Sequence, residues 1–214
     1  MFINNLQLHR NLKLYQQIYN FNHLTAIIAH PSWLNADIKA ENDIFNVKQT
    51  EFLFNTYIIN SFYHEINDIW LKLISLPTKQ LNHLLQQTIL FLISHDKSLP
   101  LDSKKRLLIQ ESFKLPSFKK IFLKDNASIK ISIPSLKTSL LNNKNFISLS
   151  SSEILNSIYK TKNSAMFERL KFRFTKDFHS DPEIIDFWNQ VSKEHLENAV
   201  LFTAKKYFAN FFTN

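Results

Sequence analysis

The 214-residue sequence contains no cysteine and no glycine. Without cysteine the chain forms neither a disulfide nor a thiolate metal site, which excludes a disulfide-stapled secreted fold. Without glycine it carries no GxGxxG motif, no P-loop and no nucleophile elbow, because each of these needs glycine for a close backbone approach to phosphate or for a strained turn. The two absences exclude the common types of enzyme that depend on these motifs.

The ligand spacing of a helical metal centre is also missing. A di-metal carboxylate bundle needs a Glu-x-x-His motif, because a step of three places both ligands on one face of a helix. The sequence contains no such motif. The pairs His64 with Glu65 and Glu194 with His195 are adjacent, and neighbours point about 100° apart on a helix. His64 and Asp68 have a usable step of four, which many surface pairs share. We therefore predict a protein with no metal, no cofactor and no enzymatic activity.

Long uninterrupted apolar runs are absent as well. The stretch Phe52–Ile74 is interrupted by His64, Glu65, Asp68 and Lys72, so it does not read as a bilayer-spanning helix. Residues 1–10 lack the basic region and apolar run of a signal peptide. These patterns predict a cytoplasmic protein with no membrane span.

The sequence does contain a large apolar fraction, 44% of its residues, with 20 Phe and 3 Trp. Charged residues make up 21%, which is typical of a chain with a hydrophobic core and not of a disordered one. No segment repeats at the period of a solenoid, and no linker divides the chain. We interpret residues 1–214 as a single domain.

Apolar residues recur at steps of three and four along most of the chain, which predicts amphipathic helices. In the first helix the recurring positions are Leu8, Leu12, Tyr15 and Tyr19. The predicted fold class is mainly α, a single helical domain with long central and C-terminal helices. The predicted helices cover residues 6–19, 21–29, 48–76, 79–94, 103–113, 150–162 and 182–212.

Two short segments alternate between apolar and polar residues, Ile129–Ile133 and Leu170–Phe174. Strict alternation is the pattern of a half-buried strand, and the two segments predict one short two-stranded β element. In such a strand Arg169, Lys171 and Arg173 share one face.

Positive charge is concentrated in the middle of the chain. Residues 97–176 contain 17 Lys and Arg against 5 Asp and Glu, whereas the rest of the chain contains 9 against 13. Such a region suits nucleic acid, an anionic membrane or an acidic protein, and it can also be a solvated face that only aids solubility. Because no recognised nucleic-acid-binding motif occurs, we predict an acidic protein partner and keep a basic helical nucleic-acid binder as the alternative.

The basic clusters supply most of the predicted contacts with this partner. Arg169 and Arg173 are the strongest candidates, since guanidinium groups pair with carboxylates in a forked geometry. Phe187 lies off the main stripe of the last predicted helix, beside Trp188. It either packs in a wide core, which the pattern favours, or makes an aromatic contact with the partner. The predicted partner-binding residues are Lys104, Lys105, Arg106, Lys119, Lys120, Arg169, Lys171, Arg173 and Phe187.

Three segments resemble the YscK/SctK family, the accessory proteins of the type III secretion sorting platform. Residues 21–34, which end in His30-Pro31-Ser32-Trp33-Leu34, are similar to the family's N-terminal helix-and-proline segment. Residues 70–77 and the leucine-rich helix after them look like its central hairpin. Residues 169–174, followed by a C-terminal helix, show a basic–apolar alternation comparable to that of the family.

The resemblance covers about a third of the chain, with the segments in the family's order. It implies a mainly helical cytosolic adaptor without enzymatic activity. Such an adaptor bridges the cytoplasmic forkhead-associated domain of an inner-membrane ring protein and the SctQ-type pod protein.

Overall fold

The structure is a computed structural model that describes residues 5–38, 45–57, 68–115, 131–160, 164–174 and 181–209. The described part of the chain is mainly helical and contains no β-strand, which confirms the predicted fold class. The α-helices are α1 (Asn5–His23), α2 (Phe45–Tyr57), α3 (Ile69–Ile74), α4 (Thr78–Ile93), α5 (Ser103–Ser112), α6 (Thr138–Leu141), α7 (Phe146–Tyr159), α8 (Ser164–Leu170), α9 (Pro182–Asn189) and α10 (Lys193–Tyr207). Short 3-10 segments cover Thr25–Ile27, Pro31–Trp33 and Lys171–Arg173.

The chain divides into two compact units. The described residues of Met1–Leu81 and Tyr159–Phe178 form the first, and those of Asn82–Ile158 and His179–Ala209 form the second. Each unit therefore combines segments that are distant in the sequence.

The first unit is organised around Ala26, Leu53 and Phe172, which are all buried and in contact. The Thr25–Ile27 segment packs against both α1 and α2, and the backbone amide of Ala26 donates a hydrogen bond to the Thr50 side chain at 3.1 Å. This bond joins the segment to α2 and satisfies a buried polar group that would otherwise destabilise the fold.

Three aromatic rings extend this core. The rings of Trp33, Tyr57 and Phe172 lie 5.1–5.6 Å apart with edge-to-face geometry, an arrangement that aromatic pairs prefer. The indole Nε1 of Trp33 donates to the carbonyl oxygen of Phe174 at 2.6 Å, and the amide of His30 donates to that of Phe172 at 2.6 Å. These bonds join the Pro31–Trp33 turn to Lys171–Arg173, far along the chain.

The second unit contains α5, α6, α9 and α10 together with most of α4 and α7. Helices α4 and α10 meet where the rings of Phe91 and Phe202 stack, with centroids 4.6 Å apart. The core is aliphatic apart from a few aromatic side chains. Its fully buried members include Leu84, Leu85, Ile89, Leu92, Ile154, Ile158, Trp188 and Leu196.

Helix α5 ends in a left-handed residue that is not glycine. Lys114 has a φ of 52°, its amide donates to Glu111, and the amide of Leu115 donates to the carbonyl oxygen of Gln110. This pair of hydrogen bonds is a Schellman motif, in which glycine usually occupies the left-handed position. A chain without glycine has to place a residue with a Cβ atom there.

Two of the predicted long helices are interrupted. The predicted helix over 48–76 is wrong as one element, because Asp68 is extended and its carboxylate accepts from Trp70 and Leu71 as the N-cap of α3. The predicted helix over 182–212 is also two helices, since Ser192 is extended and caps α10 through the amide of His195. When the apolar period continues across a break between two helices, periodicity does not reveal the break. A capping side chain at the start of the second helix is the sequence signal for it.

Other boundaries differ in smaller ways. The helix predicted to open at Ser150 begins at Phe146, so the serines lie inside α7 and are buried. The predicted strand over 170–174 is wrong, because Leu170 ends α8 and Lys171–Arg173 form a 3-10 turn. Of the other predicted strand, residues 129 and 130 lie outside the described part of the chain, and 131–133 have no regular structure.

Candidate functional site

The predicted basic residues of α5 have different surroundings. Asp102 caps this helix by accepting from the amide of Lys105 at 2.9 Å. Lys104 is exposed, Arg106 is half-buried, and Lys105 is buried. The guanidinium of Arg106 donates to the carbonyl oxygens of Leu99 and Pro100, so much of its hydrogen-bonding capacity is used within the chain.

Lys105 belongs to a buried polar network in the second unit. Its Nζ lies 3.7 Å from Oδ2 of Asp96 and donates to the hydroxyl groups of Ser98 and Ser135, at 2.7 and 3.2 Å. Asp96 also accepts from the amide and hydroxyl of Ser98, both at 2.8 Å, and from the amide of Leu136 at 2.9 Å. The prediction that Lys105 contacts a partner at the surface is wrong, because its charge is paired inside the fold.

Arg169 lies inside the first unit. Its side chain is 0% exposed, and its guanidinium carbon lies 5.2 Å from the centre of the Phe54 ring. Burial lowers the pKa of Arg169 to about 10, an effect that the nearby charge of Glu168 partly opposes. The predicted exposed face of a strand does not exist, because Arg169 is helical and faces the core.

Arg173 is buried as well, at 6% exposure. Its Nη2 donates to the carbonyl oxygen of Leu76 at 2.6 Å, while Nε and Nη1 make no hydrogen bond. Burial lowers the pKa of Arg173 to about 10, since a desolvated guanidinium favours its neutral form. The two arginines that were the strongest surface candidates therefore belong to the interior of this unit.

The remaining predicted residues are divided between surface, core and undescribed segments. Lys171 is exposed, with its Nζ 5.5 Å from the centre of the Phe167 ring. Phe187 is buried, and its ring meets that of Trp188 edge to face at 4.9 Å, so the prediction of a surface aromatic is wrong. Lys119 and Lys120 lie outside the described residues.

The first unit has an exposed apolar surface, which the sequence did not predict to be exposed. Leu12, Tyr15 and Tyr19 of α1 are 56%, 50% and 51% exposed. We call these three residues the α1 stripe. Steps of three and four are typical of the core-facing side of a helix, but the side of α1 that faces the core carries Ile18 and Phe21 instead.

The second unit exposes its own apolar side chains near the start of α5. Leu101, just before the N-cap, is 91% exposed, and Leu107, in the second turn, is also exposed. Exposed Lys104 lies one turn before Leu107, on the same side of the helix. We call Leu101, Lys104 and Leu107 the α5 patch.

A cleft of about 360 Å³ lies between α5 and the segment that joins α6 to α7, within the second unit. Its floor is apolar, with Leu108, Leu141, Phe146 and Ile147, and its rim carries polar and charged side chains. The exposed rim residues are Glu111, Asn142 and Lys144. The cleft is open to solvent.

A metal-binding cluster and a membrane-spanning helix are both absent from the part of the chain that the structure describes. No group of three or more His, Asp and Glu side chains there could hold a metal ion. None of the described helices combines the length and the apolar character that crossing a membrane requires.

Comparisons of the chain with protein-family models, with curated proteins and with solved structures give no match.

Proposed function

We propose that this protein is a non-enzymatic adaptor that holds two other proteins at the same time. The observation that carries the proposal is that each compact unit exposes its own apolar surface, the α1 stripe in the first and the α5 patch in the second. Clustered exposed aromatic and leucine side chains are typical of protein–protein interfaces. Two separate surfaces are the minimum that an adaptor needs.

The charge of the chain indicates the character of at least one partner. The net charge is +8, and the excess comes wholly from residues 97–176. Lys104, Lys114, Lys137 and Lys144 are exposed within the described part of this segment. A basic surface repels itself and attracts acidic proteins, so an acidic partner complements it.

The resemblance to the YscK/SctK family supplies the biological setting of the proposal. In that setting the protein works in the cytoplasm as part of a type III secretion sorting platform. Its partners are the forkhead-associated domain of the inner-membrane ring protein and the SctQ-type pod protein. The protein would then lie at the inner membrane through its partners, without a membrane span of its own.

Reconstitution with these two purified partners tests the proposal. We expect size-exclusion chromatography with light scattering to show a complex of all three proteins. We expect Tyr15→Ser with Tyr19→Ser to release one partner and Leu101→Ser with Leu107→Ser to release the other. A chain that binds neither partner, or that binds both through one surface so that they compete, would contradict the adaptor.

The exposed lysines also support the second candidate, a basic nucleic-acid-binding protein. Fluorescence anisotropy with a short labelled DNA duplex and a short labelled RNA separates it from the adaptor. Binding through phosphates weakens steeply as salt rises, with a slope close to the number of phosphates contacted. Tight, salt-sensitive binding in the absence of protein partners would favour this candidate.

A further inference from the structure

We propose that the α1 stripe is the docking site for an acidic amphipathic helix of a partner protein. This inference rests on the proposed adaptor function and names the chemistry of one of its partners. Three independent features of α1 support it: which side of the helix is buried, how the exposed residues are spaced, and which charges the helix carries.

Helix α1 buries Ile18 and Phe21 as an ordinary surface helix would, but it also leaves an apolar stripe in solvent. The exposed side carries the α1 stripe, whereas the amide side chain of Gln17 is buried, and its Oε1 atom makes no hydrogen bond. Burying an unsatisfied amide while two tyrosines and a leucine face solvent costs free energy. A partner that covers the stripe offsets this cost, because it removes the exposed apolar area from water.

The spacing of the stripe indicates that the partner is a helix. Leu12, Tyr15 and Tyr19 follow steps of three and four. This 3.5-residue period is that of the seam between two coiled helices, in which each side chain fits between residues of the facing helix. Tyrosine suits such a seam at an interface, since its ring is apolar and its hydroxyl can remain in water.

The charge of α1 indicates that this helix is acidic. The 19 residues of α1 include Arg10 and Lys13 but no Asp or Glu. Among the described side chains that flank the seam, Gln16 and His23 also lack negative charge. Because exposed Lys13 lies on the helix and no carboxylate lies beside the seam, acidic residues on a facing helix are attracted and a second copy of this basic chain is repelled.

The same excess of positive charge holds for the whole first unit. Its described residues contain nine Lys and Arg, and four Asp and Glu, namely Asp37, Glu51, Asp68 and Glu168. The surroundings of α1 therefore strengthen the preference of the helix for an acidic partner.

Two synthetic peptides test the inference on the full-length protein. Both have leucine at the two seam positions of every heptad, and they differ only in carrying glutamate or lysine at all flanking positions. We expect fluorescence anisotropy to show that the glutamate peptide binds at least about tenfold more tightly than the lysine peptide, with the difference shrinking as salt increases. Equal binding of the two peptides would overturn the proposal.

Matched variants locate the binding surface. Tyr15→Ser with Tyr19→Ser should weaken binding of the glutamate peptide by about tenfold or more, since exposed tyrosines at an interface are frequent hot spots. Tyr207→Ser is the control, because Tyr207 is an exposed tyrosine, 45% accessible, in the second unit. Lys13→Glu, at an exposed position of α1, should weaken the glutamate peptide and strengthen the lysine peptide. Full binding by the double variant, or an unchanged peptide preference in the lysine variant, would refute the assignment.

Light scattering of the protein alone tests whether a second copy of the chain, and not a partner helix, covers the α1 stripe. A monomer at all concentrations supports the proposal. A dimer that Tyr15→Ser with Tyr19→Ser dissociates would overturn it, since a second copy would then cover the stripe. The two proposals can fail separately. If the peptides do not bind but the three-protein complex forms, the adaptor function stands and uses other surfaces. If the complex does not form but the glutamate peptide binds, the docking site stands and the proposed adaptor function fails.

Discussion

The Nζ atom of Lys105 lies 3.7 Å from Oδ2 of Asp96, and both side chains are buried in the second unit. The pair joins α5 to the turn after α4, and the amide of Leu136 donates to the same carboxylate oxygen. Three segments of the chain therefore meet at one carboxylate.

The first prediction concerns this pair. Asp96→Asn should destabilise the protein by about 3–5 kcal/mol, because it leaves the ammonium of Lys105 buried without a counter-charge. Lys105→Met should cost less, since Asp96 keeps its hydrogen bonds to Ser98 and Leu136. Urea denaturation of the single and double variants should give a coupling energy of about 0.5–3 kcal/mol. Lys104→Met, at the exposed neighbour, is the control, and an Asp96→Asn variant no less stable than this control would refute the pairing.

The second prediction concerns Trp70 in the first unit. Its side chain is buried, its ring meets that of Tyr159 edge to face at 6.0 Å, and its carbonyl oxygen accepts the Tyr159 hydroxyl at 2.6 Å. Trp70→Ala should cost about 3–5 kcal/mol of unfolding free energy, because it leaves a large cavity. Leu101→Ala, at a fully solvated side chain, should change the stability by less than about 0.5 kcal/mol. Similar denaturation midpoints for the two variants would show that the indole is not buried.

The third prediction uses the left-handed residue at the end of α5. Lys114→Gly should stabilise the protein by about 0.5–1 kcal/mol, because glycine adopts a positive φ without the steric cost of a Cβ atom. The same substitution at exposed Lys104, in the first turn of α5, should destabilise the protein by up to about 1 kcal/mol, since glycine is a poor helix former. Thermal melting of both variants should show a higher melting temperature for Lys114→Gly and a lower one for Lys104→Gly. A loss of stability at both positions would contradict the Schellman geometry.

The fourth prediction is a dependence of stability on pH through Glu153. Partial burial inside α7 raises the pKa of this carboxyl above its usual 4.5. Between 4.5 and the raised value the folded protein binds more protons than the unfolded chain, so the contribution of Glu153 to stability falls as pH rises through this window. Glu153→Gln should therefore raise the melting temperature at pH 7.

The gain from Glu153→Gln should shrink as pH falls through the same window, because the carboxyl is then neutral in both states. Glu111→Gln is the control, since Glu111 is exposed in another helix of the same unit. A gain for Glu153→Gln that stays constant from neutral to acidic pH would contradict an effect of ionisation.

The sequence predicted the helices whose boundaries depend on local chemistry. The helices predicted to begin at residues 103 and 182 begin there, and Asp102 and Asp181 are their caps. Both ends of α4 lie within one residue of the predicted range 79–94. The sequence failed to predict the breaks at Asp68 and Ser192, because both lie within apolar periods that look continuous. A capping side chain inside such a period was the available signal.

Which side of a helix meets the core was harder to predict. The series of Leu12, Tyr15 and Tyr19 has the spacing of a buried stripe, yet Ile18 and Phe21 are the residues that α1 buries. Likewise, the basic–apolar alternation predicted a strand with Arg169 and Arg173 on its surface. The segment is helical instead, and both arginines are buried. Periodicity identifies candidate faces, but the contacts that choose between them come from distant segments.

Those distant segments affect the order in which the protein folds during synthesis. The bond from Trp33 to Phe174 joins residues 141 positions apart, and Phe172 completes the cluster that begins with Ala26 and Leu53. Because translation proceeds from the N-terminus, most of the chain has left the ribosome before the first unit acquires its last core residues. The N-terminal helices therefore keep apolar surface exposed until residues 159–174 have been synthesised. The segment that supplies most of the second unit is synthesised between these two parts of the first unit. A chaperone that shields α1 and α2 during this delay should increase the yield of folded protein.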